Sequence, residues 1–337
     1  MLGIGEHGGV YETRADWLNL THEDVVEPDL PICDPHHHLW EHPNMTAYVV
    51  SDLHGDTRSG HNVTGTVFVE CGWAYRTDGP TDFRVVGETE WVADHAPGSV
   101  IRGIVSTCDL RLPEATLRAV LAEHEVAGKG MFRGIRHRLA NDPTGSAGSS
   151  RSSVSPAGLA LTDEFQRGVA VLGDLGLTFD AWLYHPQIPE LAVLARAVPE
   201  TTIILDHIGG PVGVGTYAGH RAEIMEQWAI DMADLAACPN VVVKVGGIGM
   251  VVYGTGWETR ERPPTSDEVV DYWGDALNTT IDLFGPDRCM FESNFPVDKL
   301  TVSYRVLWNA FKKVSASRPA ADREQLFRGT AERVYRV

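Results

Sequence analysis

The chain has 337 residues, 43% of them hydrophobic, and 28 Lys and Arg set against 46 Asp and Glu give a formal net charge of -18. So acidic a surface argues against nucleic acid and against anionic membranes as partners, and no apolar run approaches the ~20 residues of a membrane helix. The length suits one large core, because barrels of ~250 residues with insertions form single domains, and no linker divides the chain into plausible halves.

The first stretch, "MLGIGEHGGVYETRADW", has no basic flank and no long apolar segment, so no signal peptide is read there and the expected location is cytoplasmic. Cys33, Cys71, Cys108, Cys238 and Cys289 form no C-x-x-C pair. Their odd number suits free thiols in a reducing compartment. Residues 1–30 read as an N-terminal extension, and 31–337 as one barrel domain.

The first apolar run is "ICDPHHH". It is followed by "TGTVFVEC", "VIRGIVST", "MFRGIRH", "LTFDAWLYH", "TTIILDH", "NVVVKVGG" and "RCMFESNF". These runs are β-branched and nearly continuous in apolar character, as strands buried on both faces are. Between most of them lie segments with apolar spacing of three and four, over 113–125, 162–176, 189–198, 222–238 and 266–285. Several open on Thr, Ser or Pro, as helix starts do. Eight strands alternating with helices predict a (β/α)8 TIM barrel of α/β class. A doubly wound open sheet would call for a Gly-rich phosphate turn after an early strand, and none is present. Residues 140–160, "ANDPTGSAGSSRSSVSPAGLA", form a Ser/Gly/Pro-rich loop insertion after strand 4. It is either a tolerated surface insertion or a mobile lid over the pocket.

In such a barrel the C-terminal ends of the strands carry the functional residues. Strand alternation puts His36 and His38 on one face with Asp34, and His37 on the other. Strand six ends at His207 and strand eight at Asn294. An H-x-H pair alone can be structural; a third histidine at another strand end strengthens the case for a site. Alternation also puts Glu292 inside the barrel below Asn294, and Lys244 and Glu70 inward as well. Buried charges must be paired, so Glu292 is either a structural partner of Lys244 or a tuned base or metal ligand. Arg133, Arg136, His137 and Arg138 form a basic cluster at strand four, suited to an oxyanion or carboxylate clamp. Asp180, Trp182 and Tyr184 share one face of strand five. Trp73 and Trp40 are aromatic candidates for a pocket wall, or packing under a loop.

The runs "DPHHHLW", "LDHIGGP", "VVVKVGG" and "RCMFESNFPV" together resemble the amidohydrolase-related family, over roughly residues 31–337. Within it they resemble the lactonase-like branch that includes 2-pyrone-4,6-dicarboxylate lactonase, 4-sulfomuconolactone hydrolase and L-fucono-1,5-lactonase. The resemblance implies a hydrolase acting on a small anionic cyclic ester or related carbonyl compound. His36, His38 and His207 take the places of the family's histidines, and Arg136 that of an arginine holding an anionic group. Arg138, Tyr184, Lys244 and Trp73 are further candidate substrate contacts, read from their own charge, parity and position at the strand ends. A divalent metal ion, zinc or manganese, is optional, with His36, His38 and a fifth-strand His185 as its candidate ligands. At strand eight the family usually reads G-S-D-W-P, its aspartate activating water. Here Glu292, Ser293 and Asn294 stand instead, and an amide cannot act as a general base. The base is left open among Glu292, a histidine and metal-bound hydroxide. A metal-dependent decarboxylase and a non-catalytic binding protein are the alternatives. The expected partner is a small-molecule substrate, with room for a homo-oligomer.

Overall fold

The computed structural model describes residues 12–43, 45–145, 147 and 155–337. Its strands are β1 (Pro31–His37), β2 (Asn62–Val69), β3 (Ile101–Ser106), β4 (Phe132–Arg138), β5 (Thr178–Trp182), β6 (Ile203–Leu205), β7 (Val241–Gly246) and β8 (Cys289–Glu292). All neighbours pair in parallel, in the order β1 to β8. The chain just past β8 returns to β1, with Asn294 N donating to His36 O at 2.9 Å and His38 N to Phe295 O at 2.7 Å. The fold is therefore a (β/α)8 barrel. The helices are α1 (Ala15–Leu18), α2 (Val50–Thr57), α3 (Val86–His95), α4 (Glu114–Ala127), α5 (Asp163–Asp174), α6 (Ile188–Ala197), α7 (Arg221–Ala236), α8 (Ser266–Phe284), α9 (Tyr304–Val314), α10 (Ala320–Glu324) and α11 (Thr330–Tyr335). The five helices expected from periodicity correspond to α4 to α8. No helix of the described residues is long and apolar enough to cross a membrane.

Strand alternation divides the core in two. Outward residues such as Ile32, Phe68, Ile135, Phe179 and Leu205 pack under the helices. Inward residues Cys33, Val67, Val105, Ile204, Val242 and Met290 meet Ala331, Val334 and Tyr335 of α11, which seal the barrel floor. All five cysteines are buried and free. The described part of the N-terminal extension is tied to the later half of the barrel. Trp17 Nε1 donates to Arg260 O at 2.9 Å, Glu23 takes hydrogen bonds from Ser266, and Lys312 Nζ donates to Val26 O at 2.9 Å. Of the loop expected after β4, residues 146 and 148–154 lie outside the described residues. Its near end is pinned by Gln187, whose Oε1 accepts from Asn141 N at 2.9 Å.

One local irregularity corrects the alternation argument. The β1–β2 register shifts between Asp34 and His37, where Pro35 offers no N–H to the ladder. Asp34 is turned from the inward face expected of it: it accepts from Tyr304 OH of α9 at 2.9 Å, Ser293 N at 2.9 Å and His36 N at 3.3 Å. This fastens β1 to β8 just below the mouth.

Candidate active site

The strand ends bring His36, His38 and His207 together. The Nε2 atoms of His36 and His38 are 3.3 Å apart, and the His36 and His207 ring centroids 4.6 Å. His37 points elsewhere, to Thr66 Oγ1 at 3.0 Å and the Phe68 ring. His207 reaches the group because the chain leaves β6 early. β6 ends at Leu205, and His207 and Ile208 adopt left-handed φ of 56° and 49°. That turn also leaves Asp206 on the inward face begun by Ile204, so Asp206 and His207 both face the centre. Asp206 is a site residue that strand-end reasoning missed; its parity with the inward Ile204 was the available signal.

Glu292 is the hub beneath the histidines. Its Oε1 accepts from His207 Nδ1 at 2.6 Å and from His207 N at 3.2 Å. Its Oε2 lies 2.8 Å from His36 Nδ1. Two glycines of β7 and its end make the room. A Cβ on Gly246 would stand 2.5 Å from Glu292 Cγ, and one on Gly247 2.2 Å from His207 Nδ1. Burial, with repulsion from Asp206 and Asp34 opposing attraction from Lys244, pushes the Glu292 carboxyl well above its ordinary range. Burial likewise holds His36 neutral and His207 down at about 3. Glu292 Oε2 is buried without a hydrogen-bond donor in line and His36 Nδ1 faces the Lys244 ammonium, while His207 keeps its Nδ1–H on Oε1 and leaves Nε2 bare.

Of the two readings of Glu292, the ion pair with Lys244 is not formed. Lys244 Nζ instead meets Asp180 Oδ2 at 2.7 Å and Asp206 Oδ1 at 3.1 Å, and lies 3.1 Å from His36 Nδ1. Asp180 and Lys244 face inward at the same depth on β5 and β7, and Tyr335 OH of α11 also donates to Asp180 Oδ2 at 2.6 Å. The two aspartates are simply nearer the ammonium than Glu292, which the histidines engage.

The basic cluster of β4 is split by alternation. Arg133 stays near the start of the strand on Gly130 O, and His137 faces outward onto Phe165. Arg136 is buried inside the barrel. It gives Nε to Glu70 Oε1 at 2.8 Å and Nη2 to Glu70 O, leaving Nη1 3.4 Å from His36 Nε2 and 3.8 Å from Asp206 Oδ2. Arg138 follows two residues on, on the same face. Trp182 packs edge-on against both His207 and Tyr184, making one wall. Trp73 packs on His42 and Trp91, and Trp40 is buried with Nε1 on Thr46 O. His185 does not join the centre: its Nδ1 faces Val212 N at 3.3 Å and its ring meets Tyr217.

At the end of β8, Asn294 also has a left-handed φ, 55°, a conformation Asn tolerates better than most residues. Its Oδ1 lies 3.3 Å from His38 Nε2. His38 Nδ1 sits 2.8 Å from Val69 O, which can only accept, so the ring proton is on Nδ1 and Nε2 is a bare lone pair.

Whether this donor set suits a metal ion can be judged from its unsatisfied atoms. His36, Asp206 and His207 offer ligand atoms all within 4.8 Å of one another. Both Asp206 oxygens are buried without a hydrogen-bond donor; Lys244 and Arg136 come near in charge but out of line for hydrogen bonds. Glu292 behind His36 and His207 is the outer carboxylate that metal-binding imidazoles commonly have. The residues fit a divalent ion, with His36, Asp206 and His207 to hold it. The Arg136 and Lys244 cations alongside work against tight binding.

The amidohydrolase family profile matches residues 33–337. The chain belongs to the amidohydrolase family. It is 32% identical over 331 residues to the uncharacterized protein y4mH of Sinorhizobium fredii, covering 92% of this chain and 99% of that protein. It is 30% identical over 237 residues to an L-fucono-1,5-lactonase of Burkholderia multivorans, covering 70% of this chain and 71% of the lactonase. Among solved structures, a zinc-bound amidohydrolase of Burkholderia multivorans superposes with a TM-score of 0.69 at 24% identity, over 91% of this chain and 99% of its own. The family and the lactonase-named relative make this chain an amidohydrolase-type hydrolase of the lactonase-like branch.

Proposed function

We propose that the protein hydrolyses a small anionic lactone. The carrying observation is the convergence of the His36, His38 and His207 rings with Arg136 Nη1 at a buried strand-end centre. The 30% identity to an L-fucono-1,5-lactonase supports the same substrate class. In this reading Arg136 and Arg138 hold the acidic or carbonyl oxygens of the substrate, since a guanidinium matches them in two-point contact. Trp182 and Tyr184 wall the ring of the lactone, and Lys244 acts from beneath by fixing Asp206. Trp73 stands further out, on the loop after β2. His38 takes the proton of the attacking water on Nε2, and the imidazolium so formed donates to Asn294 Oδ1, which waits 3.3 Å away. The same proton then goes to the departing alkoxide. Glu292 sits beneath the histidines, away from the substrate: its Oε1 orients His207 and its Oε2 lies 2.8 Å from His36 Nδ1. A divalent ion held by His36, Asp206 and His207 would supply Lewis acidity at the carbonyl oxygen.

The test is acid release from a lactone panel containing L-fucono-1,5-lactone, a pyrone dicarboxylate and an uncharged lactone, assayed with the metal-stripped and zinc-loaded protein. Arg136→Ala should lower kcat/KM for an anionic lactone by about tenfold or more, and for the uncharged one much less. Release of CO2 from aromatic acids with no lactone turned over would replace this reading by a decarboxylase.

A further inference from the structure

Four residues beyond Asn294, in the turn that follows β8, Asp298 is fully buried. Its two carboxylate oxygens are each met by a donor. Asn294 Nδ2 donates to Oδ1 at 2.9 Å and Gly249 N donates to Oδ2 at 2.7 Å. Gly249 lies in the loop after β7, where a Cβ would stand 2.9 Å from Asp298. Burial, with repulsion from Glu292 and Asp34, pushes the Asp298 carboxyl well above its ordinary range, and the Gly249 N–H and the Asn294 NH2 oppose that shift. Met by these two N–H donors, each Asp298 oxygen is held as an acceptor, and an amide NH2 donates. The Asn294 side chain must therefore turn its nitrogen to Asp298 and its oxygen to His38, and the opposite orientation would set the Asn294 oxygen against a carboxylate oxygen.

We infer that Asp298 is a positioning residue for the reaction: it fixes the Asn294 amide so that an acceptor, not a donor, faces His38 Nε2. Asn294 and Asp298 thus act as one unit. An aspartate at the end of β8 would face the histidine with a carboxyl group; here the carboxyl stands behind Asn294, and only a carbonyl dipole is presented to the histidine. An NH2 group in that place would bind the lone pair of His38 and tie up the nitrogen that takes the water's proton. The catalytic consequence rests on His38 as proton acceptor; the orientation itself does not.

The hydrogen-bond polarities make the variants unequal. In Asp298→Asn the new amide can keep Gly249 N on its oxygen and donate its NH2 to Asn294 Oδ1. Asn294 then flips and its own NH2 turns to His38, with every donor paired. In Asn294→Asp two carboxylates face each other across the present 2.9 Å contact. In the double variant N294D/D298N the acceptor is on residue 294 and the donor on residue 298, so the contact is restored with its direction reversed.

The experiment uses the full chain in four forms: wild type, N294D, D298N and the double variant. Thermal midpoints should show a loss of at least about 2 °C in N294D, little change in D298N, and recovery of most of the N294D loss in the double variant. With 15N-labelled histidine, and His38 assigned by its own substitution, the bare Nε2 signal of His38 should move upfield in D298N as it gains a donor. On whichever lactone the wild type turns over, D298N should lower kcat about tenfold or more with KM held. Additive midpoint losses in the double variant, or an unmoved His38 signal in D298N, would overturn the inference. Neither of these two readouts needs turnover, so failure on the lactone panel leaves the orientation separately decided.

Discussion

Glu292 shows how far a single side chain sets the state of its neighbours. It fixes His207 through Nδ1 and faces His36 Nδ1, so the Nε2 atoms are the ones turned to the centre. Glu292→Gln keeps the size and can give its oxygen to His207 Nδ1–H and its NH2 to His36 Nδ1, but it cannot become a carboxylate behind metal-bound imidazoles. That variant should fold, bind zinc about 10–100-fold more weakly in a calorimetric titration, and lose activity to a similar degree. A variant with unchanged zinc affinity and turnover would show that the histidines hold their orientation without it. At this scale the sequence was half legible. His36, His38, His207, Glu292 and Asn294 were all readable from strand ends and parity. Asp206 and Asp298 were not, since one depends on a left-handed turn after a three-residue strand and the other on a turn beyond the last strand. His185 looked like a ligand because it follows β5 closely, yet the turn after Tyr184 carries it to Val212.

At the scale of elements, β5, β6 and β7 hold a buried cation between two aspartates. Removing one partner of such a group leaves uncompensated charge, whereas replacing all of them with apolar residues need not cost stability. Lys244→Met should therefore lower unfolding free energy by about 3–5 kcal/mol in a denaturant titration. A loss within ~1 kcal/mol would mean that Asp180 and Asp206 take up protons or find other donors at little cost. Gly246→Ala should lower the thermal midpoint and turnover together, because its Cβ would stand 2.3 Å from the Glu292 backbone oxygen in β8 and 2.5 Å from Glu292 Cγ; an unchanged midpoint would show that β7 and β8 can part there at little cost. All eight strands were legible because buried parallel strands are continuous apolar runs. Several helices were not, for the opposite reason. α3 buries Glu88 and Thr89, and α9 buries Asn309 and Lys312, so polar residues interrupt the apolar stripe that would have marked them. Glu88 earns its burial by taking N–H bonds from Cys71 and Trp73, which holds the loop after β2.

For the whole molecule, buried titratable groups set a pH window. Burial depresses His37 to about 3 and His61 and His124 to about 4. These rings are neutral in the fold but take up protons below ~6.5 when unfolded. Stability they leave intact above that pH is lost as pH falls, by about 3 kcal/mol per ring at pH 4.5 if the ring stays neutral. Burial raises Asp34 to about 6 and Glu88 to about 8. Their sign is opposite: the fold favours the protonated carboxyl, so stability falls as pH rises from the unfolded value through the folded one. The thermal midpoint should therefore peak near about pH 6 and decline on both sides. A midpoint climbing steadily from pH 4.5 to 8.5 would sink that balance. The floor of the barrel has a further consequence. With Ala331, Val334 and Tyr335 packed into it, the floor is closed among the described residues and the centre opens toward the strand ends. On the proposed reaction, substrate would enter and product leave past the same strand ends, and added product is expected to slow turnover by occupying the path of the next substrate, which a progress curve with product added at the start checks.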